Sequence, residues 1–328
     1  MPKLRPSNLR VYDSHTAGNS TRLLTTDIPA TLGKDMLTRK EYFRKHFDYL
    51  RTALTNEPRG YGTAGVAAFL MKPCNPEADF GLIFCDFRGY VDMCIHGTIG
   101  VVTTLFEQGL VNKKKFATGF VFDTPSGLVS ARPNFAGTRV RSVTVRNVPS
   151  FFFKDTLVGL KHYGKVPASI AYGGNTYGYL DVRHLRLPVT KKNAQQLISL
   201  GQEILSKLRA QLTSTLPPIL GVSLFETLGR YEAKNIMVGD DGLFDRSPCG
   251  TGTCGRMAVL HASHKLAKGQ EFVNQSILGS KFVGKIIDEI HEGGKSMIIP
   301  EITGSAHLTA ITDILLSRND DLKYGFRI

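Results

Sequence analysis

Two of the five cysteines in this 328-residue sequence stand in a setting the other three lack. Cys94 lies in Met93-Cys94-Ile95-His96-Gly97-Thr98-Ile99-Gly100, and Cys249 in Asp245-Arg246-Ser247-Pro248-Cys249-Gly250-Thr251-Gly252-Thr253-Cys254-Gly255. Each follows a strand-like segment and precedes an apolar stretch of helical length, which places each thiol at a helix N-terminus. The unpaired N–H groups and partial positive charge of such a tip favour a bound carboxylate. They also favour the thiolate of a cysteine placed there, so thiolate near neutral pH is expected. Gly97, Gly100, Gly250 and Gly252 let the backbone approach a ligand closely. Two such tips around an amino acid could hold its carboxylate, remove the Cα proton with one thiolate and return a proton to the opposite face from the other thiol. The stereocentre inverts. The N–H donors stabilise the enolate-like charge, so no cofactor is formally required.

Other readings of these residues are weaker. A lone buried cysteine is usually inert, and Cys74, Cys85 and Cys254 are read that way. Cys94-x-His96 and Cys249-x4-Cys254 match no usual zinc spacing, so no metal is expected. No Cys-x-x-Cys motif supports a thiol oxidoreductase. Five scattered thiols in a long chain argue for a reducing compartment rather than a disulfide framework. The opening Met1-Pro2-Lys3-Leu4-Arg5-Pro6 has no apolar run, and no segment reaches the roughly 18 apolar residues of a membrane span. A cytoplasmic protein is therefore expected, with no membrane partner. The formal charge is +13, yet the longest basic runs are only Lys113-Lys114-Lys115 and Lys191-Lys192. No nucleic-acid-binding motif accompanies them, so the charge reads as a solvated basic surface that attracts anionic substrates modestly.

The elements that must position the two cysteines form a mixed α/β pattern. Residues 8–26 read as strand, turn and strand, with Asp13 to Thr21 at the turn. A helix is expected over 38–55, opened by a Thr38/Glu41 capping box, with Tyr42, Phe43, Phe47, Leu50 and Leu54 at helical intervals. Asp79–Asp86 reads as a strand, and strands dominate from 118 to 182. An amphipathic helix spans 191–212, with Ala194, Leu197, Ile198, Ile204, Leu205, Leu208 and Leu212 on one face. A strand at 234–238 then leads to the Cys249 loop and a helix over 253–268, and strands close the chain. The same design thus recurs about half a chain apart. Two similar halves follow, 1–150 and 151–328, with closing strands free to cross back into the first.

The chain resembles the proline racemase family, which includes 4-hydroxyproline 2-epimerases and trans-3-hydroxyproline dehydratases. Asp245 through Gly252 is its most specific match, with Asp13-Ser14-His15-Thr16, Glu57-Pro58-Arg59-Gly60, Met93 through Gly100 and Gly173-Gly174-Asn175 in support. The resemblance implies a diaminopimelate-epimerase-like fold: two pseudo-symmetric halves, each a curved, mostly antiparallel sheet around a central helix, with the site between them. It implies Cys94 and Cys249 as the two bases, and His96 and Asp245 on the substrate amine. The N–H groups of Ile95, His96, Gly250 and Thr251 would hold the carboxylate. It further implies a homodimer, no cofactor, and proline or a hydroxyproline as substrate. Family dehydratases resemble this pattern but carry Thr where Cys249 stands, so a thiol here favours racemisation or epimerisation over dehydration. A basic binding protein that keeps the fold without the chemistry is the remaining alternative. Ile95, Asn19 and Gly255 depart from the family's usual Gly, Glu and Ala. The small or polar Gly62-Thr63-Ala64-Gly65 and Val238-Gly239-Asp240 suggest a roomier pocket than a strict proline racemase has, and so a hydroxylated ring.

Overall fold

The computed structural model describes residues 8–25, 28, 32–60, 65–211 and 216–327, the Lys295 side chain excepted. Its contacts divide the chain into two compact units, Met1–Val145 with Ser305–Ile328, and Arg146–Gly304. Each unit is mixed α/β with a mostly antiparallel set of strands.

In the first unit, strand Asn8–Thr16 turns through Ala17 and Gly18 into Asn19–Leu24, both turn residues having positive φ. Helix α1 (Met36–Thr55) then crosses to Val66–Met71, which runs parallel to Asn19–Leu24. A hairpin partner, Phe80–Cys85, follows. Helix α2 (Ile95–Glu107) crosses to Phe120–Thr124, again parallel to the strand before the helix. The second unit repeats this order. Strand Thr176–Asp181, helix α3 (Ala194–Gln211) and the parallel strand Ile219–Gly229 come first. The hairpin partner Glu232–Val238, helix α4 (Gly250–Ala262) and the parallel strand Glu271–Ser276 complete it. A shared path of two helical crossovers around one hairpin is what makes the halves alike.

The second unit ends at Gly304 rather than running to the end of the chain. The last strand, Ala306–Leu315, pairs antiparallel with Asn8–Thr16 in the first unit. Twelve consecutive residues of α2, Ile95 to Phe106, are buried. Its β-branched and glycine residues are poor helix formers, so packing rather than propensity forms this helix. The glycines permit that packing. A Cβ on Gly97 would lie 2.7 Å from the Phe84 ring, and one on Gly100 would lie 2.9 Å from Ser14 Oγ.

Helix boundaries differ from the sequence reading at three places. Helix α1 opens at Met36, capped by Asp35 rather than by a Thr38/Glu41 box; Asp35 Oδ1 accepts from Thr38 N at 2.8 Å. Thr38 is thus the third helical residue, and Glu41 pairs with Arg44 instead. A single 3-10 turn at Lys191–Asn193 precedes α3, which is therefore shorter at its start; Leu212 lies outside the described residues. Helix α4 runs from Gly250 to Ala262, not over 253–268. It begins immediately after Cys249 and stops where His264 takes φ 57°.

Candidate active site

Cys94 is the N-cap residue of α2, and its Sγ accepts from Gly97 N at 3.4 Å. The tip is secured by Thr98, whose N–H and hydroxyl both donate to the Cys94 carbonyl, at 3.0 and 2.9 Å. His96 Nδ1 stands 3.3 Å from Cys94 Sγ, and His96 Nε2 stands 3.2 Å from Asn19 Nδ2. With the Asn19 amide donating, Nε2 is the acceptor and the ring proton sits on Nδ1, directed at the sulfur. In that tautomer Nδ1–H faces the Cys94 sulfur and can donate to it. Thr16 Oγ1 donates to the His96 carbonyl at 2.8 Å and ties the first strand to the tip. Ile95 is 1% exposed. His15, part of the resemblance, accepts from Gly18 N at 3.3 Å and lies against the His307 ring at a tilt of 43°; it closes the hairpin turn.

Cys249 stands immediately before α4 with φ 61° and ψ 102°. A non-glycine residue held there stores about 1–3 kcal/mol of strain. The surroundings enforce it. Cys249 N donates to Ser247 Oγ at 3.1 Å, and the Cys249 carbonyl accepts from Thr253 N at 2.7 Å and Thr253 Oγ1 at 2.8 Å. The Pro248 carbonyl accepts from both Asn235 and Asn274. Cys249 Sγ lies 3.9 Å from Thr251 Oγ1, which shares a 2.9 Å hydrogen bond with Tyr177 OH. Asp245 Oδ1 accepts from Ser247 N at 2.8 Å, which shapes the turn into the loop. Its second oxygen has no hydrogen-bond partner among the described residues.

The thiolate expected at this second tip is not the stable form. Burial pushes the Cys249 thiol up to about 12, and the Asp245 charge adds to the rise. The Gly252 N–H and the Thr251 and Tyr177 hydroxyls oppose it but do not outweigh it. Removing a charge from water costs more here than one helix tip returns. Cys249 is accordingly a thiol at neutral pH. Cys85 and Cys254 are fully buried with thiols raised by burial, and Cys74 is raised in the same direction; these suit structural roles.

A stability consequence follows from the raised Cys249 pKa. A group that binds its proton more tightly when folded stabilises the fold fully below its unfolded pKa, near 9.0, and loses that contribution as pH rises towards 12. The contribution is on the order of 4 kcal/mol. Urea titrations between pH 8 and 11 should therefore show stability falling with pH, and falling less steeply in Cys249→Ser. Equal slopes for the two proteins would contradict the buried thiol.

The structure gathers Cys94, Ile95 and His96 at the α2 tip, and Asp245, Cys249, Gly250 and Thr251 at the α4 tip. Sequence reasoning missed Asn19 as the partner of His96, and Tyr177 and Met237 beside Cys249. Tyr177 lies two residues after the quoted Gly-Gly-Asn turn, but only the pairing of its strand directs it at α4. Val238 belongs instead to the core under α3, against Gly201, and Asp240 pairs with Arg209. Of the two small or polar stretches, residues 238 and 240 contact α3, and Gly62 to Ala64 lie outside the described residues. The Gly255 departure has a local cause: a Cβ there would lie 2.1 Å from the buried Tyr179 hydroxyl, which donates to the Gly252 carbonyl.

The fold repeated in two units, each with a cysteine leading into a buried helix, defines the class within which known proteins can be compared. The family model described as proline racemase matches residues 11–327, and the chain belongs to that family. It is 34% identical to the proline racemase of Clostridioides difficile, covering 97% of this chain and 98% of that one. It is 37% identical to the 4-hydroxyproline 2-epimerase of Streptosporangium roseum, covering 96% of each. The crystal structure of a hydroxyproline epimerase from Agrobacterium vitis with bound trans-4-OH-L-proline superimposes with a TM-score of 0.89 at 27% identity, over 98% of this chain and 96% of that one. No helix among the described residues is long and apolar enough to cross a membrane.

Proposed function

We propose that the protein is a cofactor-independent racemase or epimerase that inverts the Cα of 4-hydroxyproline or proline, with Cys94 and Cys249 as its acid and base. The observation that carries this reading is the pair of equivalent thiols, each leading into the buried central helix of its own unit. In one direction the Cys94 thiolate, supported by His96 Nδ1–H and Gly97 N–H, takes the Cα proton. The Cys249 thiol then delivers its proton to the opposite face, and the enzyme is left with the two protonation states exchanged. The backbone N–H groups of Ile95, His96, Gly250 and Thr251, in the first turns of α2 and α4, receive the substrate carboxylate. Asp245 offers its second oxygen to the ammonium, and His96 is the other residue proposed to contact it. A thiol at 249 supports inversion over dehydration, because it can give up a proton during the reaction and a threonine hydroxyl cannot. A cytoplasmic homodimer is part of the same proposal.

The test is incubation in D2O with reductant and, separately, L-proline, trans-4-hydroxy-L-proline and trans-3-hydroxy-L-proline, followed by chiral chromatography with mass detection. Deuterium at Cα in an inverted product is the expected result and identifies the substrate. Loss of water would move the protein to the dehydratases, and absence of exchange with all three would overturn the proposal.

A further inference from the structure

Helix α4 borders a cavity at the end remote from Cys249. Its volume is about 640 Å³, within the ~300–1,000 Å³ of small-molecule sites. None of the residues assigned above to the reaction lines it. Its walls carry four cationic side chains, Arg183, Arg230, Arg256 and Lys265, against two carboxylates, Asp155 and Asp181. Both carboxylates are already engaged. Asp181 is gripped by Arg183 through Nε and Nη2, and Asp155 accepts from Ser169 Oγ at 2.6 Å.

Arg256 differs from the other cations. Its guanidinium lies 3.7 Å over the centroid of Phe225, and it makes no ion pair or hydrogen bond among the described residues. Its Nε is buried with no partner. A buried N–H left unpaired is costly. The nearest counter-charge acting on Arg256 is Asp181, which Arg183 already grips, so the Arg256 fork has no carboxylate of its own. Stacking on Phe225 fixes the plane of the fork while leaving its donor edge available, a geometry suited to an oxyanion. Burial lowers the Arg256 pKa to about 10, so the cation persists at neutral pH. The C-terminal end of α4 opposes an anion through its partial negative charge. That effect fades within the last turn, and Arg256 lies more than a turn before the end at Ala262.

We propose that this cavity binds a small oxyanion-bearing molecule, a carboxylate or a phosphate, through the Arg256 guanidinium, with Arg230 and Lys265 at its mouth. The site is separate from the chemistry at the two cysteines and stands whether or not inversion is the protein's activity.

Isothermal titration of the full chain with inorganic phosphate, and separately with citrate, tests it. Saturable binding of at least one anion is expected, weakened about tenfold or more in Arg256→Gln. Phosphate alone would point to phosphate esters, and citrate alone to polycarboxylates. Should Arg256→Gln fail to fold by circular dichroism, the exposed pair Arg230→Gln/Lys265→Gln decides, with about threefold weaker binding expected from lost field alone. That double variant should keep wild-type amino-acid turnover. Lack of binding by the wild type would overturn the proposal. So would an affinity unchanged in a folded Arg256→Gln or, where that variant does not fold, in the double variant, since the anion would then sit elsewhere.

Discussion

Cys249→Ser should lower inversion of the substrate by about 10²–10⁴-fold, the range a positioned acid–base group contributes. Serine fits the same strained backbone, and its hydroxyl can keep the contact with Thr251 that Sγ makes at 3.9 Å. What is lost is a proton that can leave. A serine hydroxyl is far weaker as an acid than even the raised thiol at about 12. Cys94→Ser should fall comparably, because the His96 Nδ1–H that supports a thiolate cannot make an alkoxide accessible near neutral pH. The two variants should differ in one respect. Cys249→Ser keeps the Cys94 base and should wash deuterium into one enantiomer with retention; Cys94→Ser keeps only Cys249, which rests as a thiol, so it should exchange the opposite enantiomer and far more slowly. Nuclear magnetic resonance of Cα exchange in D2O reads this directly. Full inversion in either variant would sink the two-base mechanism.

Gly173→Ala should destabilise the second unit by about 3 kcal/mol, at the upper end of ordinary overpacking. A Cβ there would lie 2.2 Å from the Thr251 carbonyl oxygen and 2.5 Å from Gly255 N. Both are backbone atoms of α4, so no side chain can rotate away. Relief requires the helix tip to move, and Cys249, Gly250 and Thr251 move with it. Activity should therefore fall more than the population of folded protein does. Gly159→Ala is the matched control, since nothing lies within 4 Å of its Cβ position. Urea denaturation of the two variants should separate by most of the predicted difference, and near-equal midpoints would show that the Gly173 contact yields easily.

The features that were legible early are those set by near neighbours in the chain. Helix α3 could be read from the spacing of Leu197, Ile204, Leu205 and Leu208, because one buried face repeats every three to four residues. The Cys249 loop could be read because Ser247, Cys249, Thr251 and Thr253 contact one another within a few positions. The Asp35 cap was missed although it is equally local, because Thr38 offered a competing capping pattern three residues later.

The sequence by itself determined where the two thiols stand along the chain, which helices follow them and to which family the chain is similar. Those are matters of residue type and short-range spacing. Only the tertiary structure decided that Cys249 rests as a thiol, since burial comes from segments distant in sequence such as Tyr177 and Met237. It also decided that Asn19 sets the His96 tautomer, and that Ala306–Leu315 returns to pair with Asn8–Thr16. Strand partnership and desolvation depend on contacts from about ten to about three hundred residues apart, and no local pattern encodes them.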